Sequence, residues 1–511
     1  MRRAFAAAIA LGTFATLLGT PAIPQENALD EAAIGAKIRA AAGPLPDVYR
    51  ETVTVRSSNG TTSVEHAFVR GTDDRYVDDA GPLHTEDGSL GGVTWRMNAN
   101  GQVVRDDLPD PEENPPIDLK PTVSRVREPV DGWLIASLDA KGFGVKRYVD
   151  GTAWRIVRVE DISSEGTVVR TYGDFRLDHG RTFAHRIRTE DGPGKRSDEL
   201  VVDAYEPGGV TDTDLAIPAP RRRLVEFPAG TPTVELPVRF VGDAIFVRVT
   251  IAGRGLDFTL DTGAAGITID ASVARELGLA QFDRRSRALA RRYTESSAVV
   301  PEMRVGSLVM RNVAVRVIPH GWETAAGVKD VGLLGYDFLS ELGVTLDYEH
   351  KRVTAVPGAS FKPPGDPDGT AFDIHLGTGV PRTAVTLNGV RTNEFLIDSG
   401  ASGSVMLTDR FARYHPDAFR YWRPVGKPRY FRGIGGVFAA TPYRIGLLQL
   451  GGWDLRLWIA YRIEGGSYAS TGIDGLIGSD FLKLFTVSLD YEHQRIHLVP
   501  NRDGREMMSL K

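Results

Sequence analysis

The chain contains no cysteine in 511 residues. That absence excludes disulfides, zinc-thiolate sites and a thiol nucleophile, and it removes the residue a lipoprotein anchor needs at its new N-terminus. Net charge is also low, with 61 Lys and Arg against 66 Asp and Glu. A balance of −5 over this length marks neither nucleic acid nor an anionic membrane as a partner. Beyond the first two dozen residues no apolar run is long enough to span a bilayer.

The one long apolar run sits at the start. Arg2-Arg3 forms a positive n-region, Ala4 to Leu18 is apolar and slightly short for a membrane span, and Thr20-Pro21-Ala22 offers small residues before a cut. Residues 1–22 therefore read as a secretory signal peptide, with a retained anchor as the alternative. With an alanine-rich signal and no cysteine, the expected location is a bacterial periplasm, and secretion to the medium is second. No stable membrane span is expected after cleavage.

What the chain has in abundance is material for cores. An apolar content of 42% supports about two or three domains at this length. Two stretches repeat. Phe258-Thr259-Leu260-Asp261-Thr262-Gly263-Ala264 is echoed by Phe395-Leu396-Ile397-Asp398-Ser399-Gly400-Ala401, 137 positions later. A longer echo runs from Val331 (VGLLGYDFLSELGVTLDYEHKRVTAVP) and from Asp474 (DGLIGSDFLKLFTVSLDYEHQRIHLVP), where Gly335 and Gly478 correspond at an offset of 143. Two copies of more than a hundred residues describe two homologous lobes and not a solenoid, and the larger second offset places a small insertion in the second copy.

A carboxylate at the end of an apolar strand is costly unless something uses it. If Asp261 and Asp398 face each other within hydrogen-bond reach, both cannot be ionised, and the pair holds one proton and titrates as a unit. The ionised partner can then take a proton from a water between them while the protonated partner polarises a carbonyl. Such chemistry needs no metal, no cofactor and no covalent intermediate. A single Asp-Thr-Gly is weak evidence, because Asp and Gly cluster in ordinary turns; the doubled motif with its doubled downstream echo is not.

On these residues the chain resembles the retropepsin-like and pepsin-like aspartic proteases, from about Val234 to Pro500. The resemblance implies that Asp261 and Asp398 are catalytic and that the Thr262 and Ser399 hydroxyls bond across the lobe junction. It also implies that Gly335 and Gly478 lie on strands crossing beside the Asp-bearing loops to brace them. Gly263 and Gly400 let backbone approach the carboxylates. A flap over the substrate is implied as well: Gly433, Ile434, Gly435 and Gly436 supply a glycine-rich turn in the second copy, with an ordinary hairpin turn as the alternative. The first copy has Arg291 to Ala298 there, which accounts for part of the length mismatch, and Tyr293 is either a flap tyrosine or a surface one. The repeated Leu-Asp-Tyr-Glu-His reads as a hairpin turn between two strands, and Asp337 and Asp480 as structural residues opening a short helix.

Before the lobes, Asp30 to Ala42 has Ile34 and Ile38 at helical spacing and ends at Gly43-Pro44. Alternating strands follow, with turn signals at Asn59-Gly60, Asn100-Gly101 and Asp150-Gly151. This antiparallel sheet with one or two helices is similar in pattern to the periplasmic lipoprotein-carrier half-barrel fold. The resulting fold class is mainly β, a bilobal pair of aspartic-protease-like β-barrels preceded by a half-barrel sheet.

The boundaries expected are a sheet domain over 27–217, a linker over 218–233, lobe one over 234–357, an interlobe linker over 358–369, lobe two over 370–500 and a polar tail over 501–511. Residues 106–121 read as an exposed acidic, proline-rich loop, with a break between two small domains as the alternative, and Arg221-Arg222-Arg223 is a plausible proteolytic site that hints at a propeptide. Three functions remain open. One is a single-chain endopeptidase, a monomer with its lobes paired in cis, acting on a peptide or protein substrate. Another is a binding protein that keeps the fold without turnover. The last is a carrier whose N-terminal sheet holds a lipid or other apolar ligand.

Overall fold

The computed structural model describes residues 29–509 apart from 59, 107–118, 140–141, 164–165, 192–196, 288–291, 321, 325, 377–378, 420–421, 434–435 and 464–471. The signal-peptide segment and most of the acidic loop lie outside the described residues. No helix among the described residues is long and apolar enough to cross a membrane. The chain is mainly β and divides into two compact units, Met1–Val93 with Pro116–Ile217 and Thr94–Pro115 with Pro218–Lys511. The hairpin around Asn100-Gly101 belongs by strand order to the N-terminal sheet, as its sequence suggests, and by packing to the second unit.

The first unit is an antiparallel meander. Asp30 caps the helix Glu31–Ala42 by accepting the Ala33 N–H, and Gly43 at φ +80° ends it. Ile34 and Ile38 are buried together with Ile135 and Val149. Across the 13-stranded sheet the order is Val103–Asp106, Val93–Met97, Leu83–Leu90, Asp73–Ala80, Thr62–Arg70, Val48–Ser57, Ser197–Pro207, Arg181–Asp191, Gly166–Asp178, Ile156–Ser163, Gly144–Asp150, Gly132–Leu138 and Thr122–Val126. Tight turns link the early strands because Gly71 and Gly81 adopt the left-handed region at φ +62° and +60°. Tyr49, Val53, Phe183, Ile187, Leu200, Val202 and Tyr205 form its core. A second short helix, Asp212–Leu215, starts from a Thr211 capping box.

The second unit contains two lobes of matching topology with barrel-like sheets. In lobe one the strand Arg254–Leu260 runs parallel to Lys329–Leu334, which runs antiparallel to Ile267–Asp270, itself parallel to Leu308–Ile318. Lobe two repeats the pattern with Val390–Asp398, Gly475–Gly478, Val405–Leu407 and Trp453–Ile463. Each lobe extends a hairpin from this frame, Gln281–Arg287 with Arg292–Val305 and Arg429–Gly433 with Gly436–Leu450. Asn388-Gly389 turns the chain into the Asp398 strand with φ +50° and +84°, the pairing that a two-residue hairpin turn requires.

A six-stranded sheet joins the lobes, and the repeated Leu-Asp-Tyr-Glu-His builds it. Leu342–Asp347 pairs antiparallel with Phe485–Asp490, and each is followed by its own hairpin partner, Arg352–Pro357 or Arg495–Pro500. Thr345 and Ser488 face each other at the centre of the seam with hydroxyls 3.1 Å apart. Val344, Leu346, Val487 and Leu489 are buried in a core shared by both lobes. Asp347 and Asp490 accept the backbone N–H of His350 and His493 at 3.0 and 3.2 Å, so the motif is a turn in both copies.

Two expectations differ in detail. The extra length of the second copy is not in the flap turn, which is shorter there: Gly433 pairs with Gly436, whereas Arg287 pairs with Arg292 in lobe one. It follows Leu407, where the helix Asp409–Tyr414 is succeeded by a 3-10 turn, Pro416–Phe419. The polar tail contains a helix, Arg502–Ser509, with Asn501 accepting the Gly504 N–H at 3.0 Å.

Burial alone would raise the pKa of Asp347, but the His350 N–H and ring together with Arg352 outweigh it and hold the carboxylate below its usual range. The stabilisation is therefore full above the ordinary carboxylate pKa and is lost as pH falls through the depressed one. Asp347→Asn should lower urea-unfolding stability by about 1–2 kcal/mol at neutral pH, with the gap to the parent chain closing in acid.

Candidate active site

Local sequence explains why two carboxylates arrive at one place. Phe258, Leu260, Phe395 and Ile397 are fully buried, so the strands carrying them run into the core, and Asp261 and Asp398 follow at their ends. The crossing strands pass directly beside: Leu260 pairs with Leu334, and Asp398 with Gly478. The Asp261 N–H donates to Leu334 O at 3.0 Å, the Tyr336 N–H to Ala264 O at 2.9 Å, and the Ser479 N–H to Ala401 O at 2.8 Å. A Cβ at Gly335 would collide with the carbonyl oxygen of Ala264, and one at Gly478 with that of Gly403, so only glycine allows the crossing.

Four hydrogen bonds lock the two loops to each other. The Thr262 hydroxyl donates to Ile397 O at 2.7 Å and accepts the Ser399 N–H at 2.9 Å. Reciprocally, the Ser399 hydroxyl donates to Leu260 O at 2.8 Å and accepts the Thr262 N–H at 3.1 Å. Both side chains are about 1% exposed, and a hydroxyl suits the place because it donates and accepts at once. Each carboxylate lies over the other lobe's glycine: a Cβ on Gly263 would stand 2.5 Å from the Asp398 carboxyl carbon, and one on Gly400 would stand 2.6 Å from that of Asp261.

The two carboxylates lie close together at the junction, each against the other lobe's glycine, and differ in surroundings. Burial, then repulsion by Asp398 and hydrogen bonding with it, push Asp261 well above its usual value, and the Gly263 N–H at 2.8 Å opposes them. Burial raises Asp398 as well, but the hydrogen bond from Asp261 and the N–H groups of Gly400 and Ala401, each at 3.0 Å, pull it back. Asp398 thus receives two backbone N–H groups where Asp261 receives one. The pair is asymmetric although the motif is repeated.

Of the other predicted residues, Gly433 and Gly436 face each other at the end of the lobe-two hairpin. Ile434 and Gly435 lie outside the described residues. Phe431 and Phe438, paired across that hairpin and stacked at 5.8 Å, belong to one apolar cluster with Ala265 and Ala401, the residues beside the two carboxylate loops. Tyr293 sits on the lobe-one hairpin strand opposite Ser286, and its side chain lies outside the described residues.

Several supporting residues escaped the sequence reading. Asp330, fully buried, accepts from Thr259 at 2.8 Å and lies 2.9 Å from His320 Nε2, and its charge adds to the upward push on Asp261. Asp474 is its lobe-two analogue in burial, held by Thr392 and by Arg410 at 3.0 Å. Asp337 is buried under the Asp261 loop and accepts the Ile267 N–H at 3.1 Å. Burial pushes it up to about 6, with Ile267 N–H, Arg96, Arg316 and Asn100 acting against the shift. Its sequence counterpart Asp480 is instead solvated and paired with Lys483 at 2.8 Å. Thr259 does stand two residues before Asp261, but nothing local to Asp330 or Asp337 marks either as part of a site.

The model of the aspartyl protease family matches residues 247–338 and 383–481, one stretch in each lobe. A search of curated proteins returns no match. Among solved structures, similar chains include an outer membrane lipoprotein-sorting protein domain from Vibrio parahaemolyticus at 14% identity. The match covers 36% of this chain and 94% of that one, with a TM-score of 0.27. A LolA superfamily protein from Nitrosomonas europaea is 15% identical over 37% of this chain and 99% of that one, with a TM-score of 0.28. Likeness at that level brings neither ligand nor activity to this chain.

Two substitutions test the architecture. Thr262→Val removes a donor and an acceptor from a sealed junction and should lower stability by about 1–3 kcal/mol for each partner left unpaired. Gly478→Ala forces backbone apart and should cost about 2–3 kcal/mol. Both are read as shifts of the urea midpoint at constant m-value.

Proposed function

We propose that the chain is an aspartic-type endopeptidase that hydrolyses peptide bonds with a water activated between Asp261 and Asp398. The observation that carries this reading is the reciprocal seating of the carboxylates, each over the other lobe's glycine, in a junction closed by Thr262 and Ser399. Two carboxylates so placed share one proton. Asp261 keeps it and donates toward the scissile carbonyl oxygen; Asp398, the anion, accepts a proton from the attacking water. The tetrahedral gem-diol then collapses as the C–N bond breaks, Asp398 returns that proton to the leaving amine, and Asp261 takes back a proton from a gem-diol hydroxyl. The hairpin that carries Gly433 and Gly436 covers an extended peptide, with Phe431 and Phe438 excluding water. An exported chain, cut after its signal peptide and working in the periplasm or the medium, fits the N-terminal sequence.

Asp398→Asn should abolish turnover of a peptide library while leaving the circular dichroism spectrum unchanged; retained hydrolysis would sink the assignment. A group whose folded pKa is raised contributes stability at low pH that disappears as pH climbs through that raised value. The same variant, by deleting a buried charge, should therefore melt at an equal or higher temperature than the parent at neutral pH. For the parent, kcat should follow a bell in pH. Its acid limb reports protonation of the Asp398 anion, and its alkaline limb, displaced above the ordinary carboxylate range, reports loss of the proton held by Asp261.

A further inference from the structure

The hairpin formed by Val93–Met97 and Val103–Asp106 reaches the second unit from the N-terminal half of the chain. Its contacts there are those of a core element. Trp95, Met97, Asn100, Gln102 and Val104 are each buried to 6% exposure or less, and Val104 belongs to the core shared by the two lobes. At its tip three side-chain amides converge on Asp337. Asn98 Nδ2 donates to one carboxylate oxygen at 2.7 Å, Asn100 Nδ2 to the other at 3.1 Å, and Gln102 Nε2 to the Asp337 carbonyl at 2.8 Å.

Asn100 also pairs with the backbone of Ala314 in both directions, at 3.0 and 2.8 Å, as a strand neighbour would. Gln102 reaches Glu341 at 2.8 Å, and the same Glu341 carboxylate accepts the Leu224 and Val225 N–H groups. The Arg221 N–H donates to Gly101 O at 2.9 Å, so the arginine segment is itself laid against the hairpin. On the lobe-two side Gln494 donates to Arg105 O at 3.1 Å.

Asp337 passes this restraint on to the candidate active site. The oxygen that accepts from Asn100 also accepts the Ile267 N–H at the end of the Asp261 loop, and it lies where a Cβ of Gly266 would be, at 2.8 Å. Lobe two has no need of such a clamp because Asp480 meets solvent and Lys483. A buried carboxylate stripped of the two Asn donors would have to protonate, move or draw in water, and the Asp261 loop would move with it.

We propose that this hairpin is a permanent part of the catalytic unit, with Asn98, Asn100 and Gln102 as positioning residues that hold the Asp261 loop through Asp337. The N-terminal half is then not a propeptide that activation discards: a cut at Arg221–Arg223 leaves the hairpin in place. The catalytic part of the proposal rests on the Asp261/Asp398 reading; the docking part does not.

The test uses the full chain with a site-specific protease sequence inserted after Pro220. After complete cutting, the two fragments should co-elute on gel filtration. The triple variant Asn98→Ala, Asn100→Ala, Gln102→Ala should weaken fragment association by at least tenfold. Separation of the parent fragments, or equal retention in the variant, overturns the docking. In the uncut chain the double variant Asn98→Ala, Asn100→Ala should lose at least tenfold in kcat with KM within twofold, and an unchanged kcat overturns the positioning role. Asn98→Ala alone, at the less buried tip, carries the same kcat and KM test where the double variant does not fold. Failure of Asp398→Asn to abolish turnover would refute the dyad and leave the fragment result standing.

Discussion

The second unit depends on a junction at which two short hydroxyl side chains bond to backbone of the opposite lobe. Where the Asp-bearing strands end, Leu260, Ile397, Thr262 and Ser399 are all buried. Thr262 and Ser399 bond across the seam, each donating once and accepting once. An unpaired buried backbone group costs about 1–3 kcal/mol, so the lobes are held in register by the penalty of leaving this junction open as much as by the shared apolar core. The carboxylates take their positions from it. Glycine follows on each side because the opposing carboxyl group occupies the space of a Cβ.

Repetition supplies the frame, and departures from repetition supply the chemistry. The crossing strands, the flanking hairpins and the joining sheet are matched element for element. Asp398 nonetheless receives two backbone N–H groups where Asp261 receives one, and Asp261 also feels the buried charge of Asp330. A perfectly symmetric pair would have no preferred owner for its proton. Here the same sequence motif is given two electrostatic environments, one with two backbone donors and one with a single donor beside a further buried carboxylate.

The doubled Asp-Thr/Ser-Gly-Ala, the bracing glycines and the hairpin sense of Leu-Asp-Tyr-Glu-His were readable because each is local: an apolar strand must end, a turn must find its glycine, and a repeat announces its partner. The helix with Ile34 and Ile38 was readable for the same reason. The clamp on Asp337 was not. Asn98, Asn100 and Gln102 look like turn residues, and Asn100-Gly101 is a hairpin turn; what makes them more is a carboxylate some 235 to 239 positions away. Nor does sequence distinguish Asp337 from Asp480, which occupy equivalent places in the repeat and differ only in what lies over them. The length mismatch was assigned to the flap turn because that is where the glycines differ, while the chain accommodates the extra residues beside the helix Asp409–Tyr414 instead.

By itself the sequence determined that there are two lobes, that each carries one carboxylate at the end of an apolar strand, and that hydroxyl and glycine follow it. Those features are set by strand periodicity and turn chemistry within a few residues, and they hold in any conformation that buries the apolar strands. Tertiary structure alone decided how many backbone donors each carboxylate of the pair receives, which aspartate of the second echo is sealed from water, and which core the Asn100 hairpin packs into. Each of these depends on desolvation and on donors supplied from distant parts of the chain, and such quantities have no value until the chain is folded.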